Sequence, residues 1–219
     1  MTDKVFIESK IREAAKGKTY RRDVVDTFEH IDERVEFIRK MMETESFVSP
    51  NHVTCTINES SSKKTRQIVK PFYWYEQVVH HMFVDMFKQV VLSGFYEWSC
   101  GSIPDRGQHY AKKRIEKYIR KHSRQRFYVL KLDIRHFYAS IDRNILKRML
   151  RKDIRDKKFY NLACKIIDYD NDPNGKGVPL GFYSSQWFGN YYLKHLDHYI
   201  KQELQADLYI RYVDDMVLF

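Results

Sequence analysis

A chain of 219 residues with 43% hydrophobic and 31% charged side chains, 8 Gly and 5 Pro has room for a sizeable core in one or two domains, which excludes a stapled mini-protein, a low-complexity segment and a disordered chain. No apolar run approaches the ~20 residues of a bilayer crossing, the start Met1-Thr2-Asp3-Lys4 lacks a signal peptide's apolar stretch, and three scattered cysteines (Cys55, Cys100, Cys164) without a CxxC pair read as ordinary thiols of a reducing compartment. The balance of 39 Lys and Arg against 29 Asp and Glu, a formal net charge of +10, favours an anionic partner, nucleic acid ahead of a membrane surface.

The first fifty residues read as helical. Asp26 or Thr27 is the expected N-cap of a helix whose apolar positions Ile31, Val35, Ile38 and Met42 recur at helical spacing as far as Phe47. After the break at Ser49-Pro50-Asn51, Val53 to Ile57 alternates as a strand, Asn58 to Lys64 is a hairpin turn, and Thr65 to Lys70 is the return arm, ended by Pro71. Tyr75 to Leu92 then carries Val79, Met82, Phe83, Met86, Phe87 and Val90 on one helical face, a core stripe rather than a ligand box. Ser99 to Gly107 is a loop and 108–121 a helix; from Ala111 to Arg126 eight residues are Lys or Arg and only Glu116 opposes them, which points to a surface facing nucleic acid. Phe127 to Asp133 reads as a buried strand, Asp142 as the cap of a helix through Ile145, Leu146, Met149 and Leu150, and 172–175 as a turn. A helix from about Ser185 to Leu204 precedes strands at Leu208 to Tyr212 and Met216 to Phe219. His195 and His198 are spaced i,i+3 on it, but no further ligand completes a zinc site, so these and His80-His81 read as structural or surface histidines.

Two carboxylate sites stand at the ends of apolar strands, where a charge has no packing reason to be. Asp133 closes Phe127 to Leu132, and Asp214-Asp215 interrupts an apolar alternation in a way that implies a tight hairpin with the carboxylates at its tip. Carboxylates brought together from two strands suit hard divalent cations, and can hold two of them about 3.5–4 Å apart for phosphoryl transfer. Either site alone is as well explained by turn residues chosen for local hydrogen bonds.

Together, the segment from Asp133 through Phe137-Tyr138-Ala139-Ser140-Ile141-Asp142 and the segment Tyr212-Val213-Asp214-Asp215 resemble motifs A and C of reverse transcriptases. Further blocks follow in the family's order. Lys63-Lys64-Thr65-Arg66-Gln67-Ile68 with Pro71 resembles the fingers hairpin, Val78-Val79-His80-His81 the helix after it in bacterial members, and 99–107 the next fingers block. Pro179-Leu180-Gly181-Phe182-Tyr183-Ser184-Ser185-Gln186, with Asn190 and Leu193 downstream, sits where motif B lies. The resemblance runs from about Lys16 to Phe219. Leu180 before the Gly, and Gln186 where most members have Pro, resemble the diversity-generating retroelement type within the retron and group II intron-like enzymes, in which adenines of a template RNA are copied with errors. Defence-type and intron-type relatives share parts of the pattern.

The resemblance implies an α+β fold with the fingers and palm of the polymerase right hand and a ferredoxin-like, RRM-like antiparallel palm sheet. Its divisions would be an N-terminal helical segment (1–50), fingers (51–126), the palm strand of motif A (127–142), a helical region (143–178) and the palm of motifs B and C (179–219), with the chain ending before a thumb. It implies an RNA-directed DNA polymerase using two Mg²⁺ ions, with Mn²⁺ as substitute, held chiefly by Asp133 and Asp214 and supported by Asp215. Lys64 and Arg66, with Lys63 beside them, would face the triphosphate. Tyr138 would be the steric gate against ribonucleotides, its ring freed because Phe137 and Tyr138 point to opposite faces of an extended segment. Leu180 and Gly181 would border the nascent base pair, the aliphatic Leu180 weakening discrimination because it makes no hydrogen bond. Arg106, Lys112, Lys113, Arg120, Gln186 and Tyr212 would contact nucleic acid. The implied partners are a template RNA, a DNA or RNA primer, dNTPs and a small basic accessory protein, with no membrane, in the cytoplasm of a bacterium or phage host. The rival reading is a catalytically silent RNA-binding module.

Overall fold

The computed structural model describes residues 1–49, 52–58, 65–170 and 175–219. Three helices come first: α1 (Lys4–Ala14), α2 (Arg22–Glu29) and α3 (Ile31–Glu43). Asp3 starts α1 by accepting the Phe6 amide at 2.7 Å, and the i, i+4 spacing of Ile7 and Ile11 turns one face inward. The N-cap expected at Asp26 or Thr27 is not found: both lie inside α2, whose end at His30 (φ −117°) separates it from α3. Short polar caps are only one way to start a helix, and here the chain bends without one.

Strands β1 (Val53–Asn58) and β2 (Thr65–Lys70) pair antiparallel, Val53 opposite Lys70 and Asn58 opposite Thr65. The expected tip of this hairpin, with Lys63 and Lys64, lies outside the described residues. A π-turn at Tyr73–Gln77 leads into α4 (Val78–Val91). The stripe Val79, Met82, Phe83 and Phe87 is buried as its spacing requires, while Met86 is half-buried and Val90 exposed. Helix α5 (Gln108–Lys121) has the expected bounds.

Strand β3 is only Leu130–Leu132, and it is exposed, contrary to the buried strand expected over 127–133. It is the outer strand of a three-stranded antiparallel sheet ordered β3-β5-β4, with β4 at Tyr209–Tyr212 and β5 at Asp215–Leu218. An apolar run records that a strand wants cover, not that cover is present: Tyr128 is 96% exposed. Residues Phe137–Ser140 form a single helical turn, α6, entered through His136 in the left-handed region, so the Phe137-Tyr138 doublet is not extended. Helix α7 (Arg143–Asp153) is capped by Asp142 as expected, its carboxylate accepting from Ile145 N at 2.9 Å. Helix α8 (Lys157–Ile167) follows, and the helix expected over 185–204 is two, α9 (Tyr183–Tyr192) and α10 (Lys194–Gln202), broken at Leu193.

The core is aromatic. Phe83 stacks on Phe87 and Phe159, and Phe188 and Tyr191 of α9 meet Phe87 with centroids 5.8 and 5.5 Å apart. It fixes α4 against α9, and α9 presents the segment before it to the sheet. Arg143, almost wholly buried, ties α7 to Asp170 (2.6 Å) and to the Gly177 carbonyl (2.6 Å). Among the described residues no helix is long and apolar enough to cross a membrane.

Candidate active site

Tyr212 pairs with Asp215, leaving Val213-Asp214 as a two-residue hairpin turn. Val213 has φ +59°, the first-position conformation that lets a tight turn follow the twist of its strands. For a β-branched residue this costs about 1–3 kcal/mol, a strain that persists only where the surroundings impose it. Gly101 is part of that surrounding: a Cβ there would stand 2.4 Å from Val213 Cγ2 and 2.7 Å from its backbone nitrogen, so the 99–102 loop closes on the turn through a residue without a side chain.

Leu132 pairs with Met216, so the register carries Asp133, one residue on, to the level of Asp215. Lys131, two residues earlier, reaches within 3.9 Å of the Asp215 carboxylate. Burial raises the pKa of Asp214, the negative charges of Asp133 and Asp215 raise it further, and a backbone hydrogen bond and Arg66 counter them. Three carboxylates thus share one field at the tip. Among the described residues no group of three His, Cys, Asp or Glu side chains is drawn together closely enough to hold a metal.

A cavity of about 510 Å³ opens beside the turn. It gathers Arg66, Tyr138, Leu180, Gly181, Gln186, Tyr212, Asp214 and Asp215 of the expected site residues; Asp133, exposed and one residue beyond β3, is not among the residues that line it. Gln77, His81, Ser102 and Tyr183 are also in its walls, none of them singled out for the site from sequence. The β1–β2 hairpin meets it through the Val69 amide, which donates to the Leu180 carbonyl at 2.8 Å. Gly181 makes this approach possible: it has φ +112°, and a Cβ would lie 2.2 Å from the Val69 oxygen. Tyr138 reaches the cavity from α6, half-buried, its hydroxyl pushed up to about 12 by burial and by Asp214, so the phenol stays neutral. Gly189 lets α6 settle on α9, since a Cβ would meet Phe137 Cε1 at 3.0 Å and Tyr138 Cε1 at 3.2 Å.

The remaining expected contacts lie elsewhere. Lys112, Lys113 and Arg120 are exposed on α5 and none lines the cavity; Lys112 and Arg120 approach Glu116 at 3.8 and 3.6 Å, weak solvent-facing pairs. Arg106 donates to the Tyr96 carbonyl at 3.0 Å and so also braces its own loop. His80 is buried with Nδ1 2.8 Å from Ser184 Oγ, its pKa pushed down to about 3 by burial, and His198 meets the Gly94 carbonyl at 2.9 Å; both hold structure together. A larger cavity, about 760 Å³, between α3, α4 and α8 contains none of the expected site residues.

Sequence reasoning missed a buried ionic cluster under the turn. Arg211 and Asp197, each 1% exposed, form a two-pronged pair with both N–O distances 2.7 Å. Tyr209 and Ser99 hydroxyls also donate to Asp197, at 2.7 and 2.8 Å. The sequence signal was present: Arg211 interrupts an apolar strand, and such a charge requires a partner.

No family model matches the chain, and no curated protein does. Among solved structures it is similar to telomerase from Candida albicans in complex with a TWJ fragment of telomeric RNA, with a TM-score of 0.55 at 13% identity over 80% of this chain. The chain spans 39% of the length of that telomerase chain. The likeness is one of fold alone, an α+β frame.

Proposed function

We propose that the chain forms the fingers and palm of an RNA-directed DNA polymerase, extending a DNA or RNA primer with dNTPs on an RNA template. The single observation that carries this reading is the cavity that gathers Arg66, Tyr138, Leu180 and Gly181 against a strained turn bearing Asp214 and Asp215, with Asp133 in the same electrostatic field. The polymerase-like frame supports it.

The negative charges of Asp133 and Asp215 help to raise the pKa of Asp214, a repulsion that a divalent cation would relieve, so these oxygen donors fit Mg²⁺, or Mn²⁺ in its place. When bound, two such ions would lower the pKa of the primer 3′ hydroxyl and stabilise charge on the leaving pyrophosphate. Asp133 and Asp214 would hold them. Asp215, directed from the first residue of β5, would support the pair from one side. Arg66, with Lys64 and Lys63 shortly before it in sequence, would neutralise the outer phosphates. Tyr138 would press its neutral ring on the sugar at C2′ and exclude ribonucleotides. Leu180 would close the space beside the nascent base pair by shape alone.

Within that activity we place the chain with error-prone enzymes of diversity-generating retroelements, on the strength of Leu180 and Gln186, both lining the cavity. A template RNA and a small basic accessory protein would be its partners there, in the cytoplasm of a bacterium or phage host, and exposed cations of α5, Lys113 and Arg120 among them, would hold phosphates. Primer extension on an RNA template with Mg²⁺ or Mn²⁺ tests the central reading. Template-dependent extension that disappears in Asp133→Asn and Asp214→Asn is expected; RNA binding without extension would instead favour the silent RNA-binding module.

A further inference from the structure

The turn that carries Asp214 is strained at Val213, and the structure shows what holds it. Arg211 is buried directly beneath, and every N–H of its guanidinium is used. Nε and Nη2 donate to the two oxygens of Asp197, each at 2.7 Å, and Nη2 also donates to Ser99 Oγ at 2.7 Å. Nη1 donates to Asn190 Oδ1 at 3.0 Å and, at 2.7 Å, to the carbonyl of Val213. Four separate elements therefore fix one guanidinium, and the guanidinium fixes the carbonyl of the strained residue next to Asp214.

The same cluster closes the opposite side of the turn. Asn190 donates from Nδ2 to the Gly101 carbonyl at 2.7 Å, and Gly101 is the residue against which Val213 packs. The Cys100 amide donates to the Arg211 carbonyl at 2.7 Å and the Arg211 amide to the Trp98 carbonyl at 3.1 Å, so Ser99 makes a single parallel bridge to Arg211 of β4. Val213 is thus held at its carbonyl by Arg211 and at its side chain by Gly101, and Asn190 orients both. A planar fork with fixed donor directions can do this; a single ammonium cannot.

We propose that Arg211, oriented by Asp197 and Asn190, is a positioning residue for the acidic site: it holds Val213 in its left-handed conformation and thereby sets the direction of Asp214. Arg211 touches no substrate in this account, and the proposal rests on the polymerase reading only for its activity assay. The variants are Arg211→Lys, which keeps the charge beside Asp197 but loses the fork, and Asn190→Ala, which keeps the ion pair and frees Nη1 and Gly101. Thermal melting and far-UV circular dichroism establish which of them folds; if Arg211→Lys does not, Asn190→Ala carries the test.

In primer extension, the concentration of Mg²⁺ giving half-maximal rate is expected to rise about tenfold or more in a folded variant, because the carboxylate is misdirected, while the KM for dNTP at saturating Mg²⁺ stays unchanged. A folded variant with the parent's Mg²⁺ dependence overturns the proposal. If the parent chain extends no primer, the polymerase reading fails by itself, and the positioning role is read from hydrogen exchange instead. Amides of the 212–215 turn should then exchange about tenfold faster in the variants while those of α7 and α8 keep their parent rates. Unchanged exchange in the turn overturns it.

Discussion

Replacing Gly181 by Ala tests how the β1–β2 hairpin is joined to the acidic site. Two costs meet at this position. At φ +112° any L side chain is strained, by about 1–3 kcal/mol. The new Cβ would also stand 2.2 Å from the Val69 oxygen and 2.6 Å from Ile68 Cγ2, so β2 must move away and the bond from the Val69 amide to the Leu180 carbonyl, 2.8 Å long, is lost or stretched. That bond contributes about 0.5–1.5 kcal/mol, so the whole substitution costs about 1.5–4.5 kcal/mol. At about 2–4 °C per kcal/mol for a chain of this size, melting should fall by about 3–18 °C. Gly17→Ala is the control: φ is +73° there too, but nothing lies within 4 Å, so it pays only the backbone cost of about 1–2 kcal/mol. Circular dichroism melting of both variants, with the KM for dNTP measured beside it, separates conformational strain from the clash. Gly181→Ala should also raise that KM, because Arg66 rides on β2 and retreats with it, and Gly17→Ala should not. A Gly181→Ala protein that melts with Gly17→Ala and keeps the parent KM would refute the reasoning.

Asp214→Asn should abolish extension and still stabilise the fold at neutral pH. Because the folded-state pKa of Asp214 is raised, its contribution to stability is complete below the unfolded value of about 3.9 and is lost as pH rises through the folded value, so the variant's advantage in melting temperature should be present at pH 7 and vanish near pH 3; an advantage independent of pH would contradict the electrostatic cause. Asp197→Ala leaves the Arg211 charge buried without its counter-ion and should destabilise by about 3–5 kcal/mol in urea unfolding, against less than about 1 kcal/mol for removing Glu116 from its exposed pairs on α5; equal effects would refute the distinction. Leu180→Gln restores a hydrogen-bonding side chain at the cavity wall and should lower misincorporation in sequenced extension products, and an unchanged error rate would remove Leu180 from the account of fidelity.

What was legible in the sequence was local. The paired strands on either side of 59–64, the bounds of α5 and the Asp142 cap follow from turn chemistry, periodicity and a short polar cap, each contained within a few residues. A tight hairpin at the Asp pair was legible for the same reason, since charge inside an apolar alternation with strands on both sides has few solutions, but the turn falls one residue earlier than expected, at Val213-Asp214, and Asp215 begins β5. The breaks at His30 and Leu193 were not, because the apolar period continues through them and tertiary packing decides where the axis bends. The exposure of Phe127 to Leu132 was hidden too: hydrophobicity describes the residue, and burial depends on what lies beside it. In the site, Asp133, Tyr138 and Leu180 could be named from motif order, but Gly101 and Gly189 matter through contacts with residues far along the chain. Arg211 carried a readable warning as a charge inside an apolar strand; that Asp197, 14 residues away, answers it is a fact of the fold.

The central claim is that Asp133, just beyond β3, and Asp214, in the turn between β4 and β5, act on one divalent cation site. Titration of the chain with Mn²⁺, followed by the electron paramagnetic resonance signal of the free ion, measures this without requiring synthesis. The account predicts binding by the parent that weakens sharply in Asp133→Asn and in Asp214→Asn alike. Binding in Asp133→Asn as tight as in the parent would contradict it.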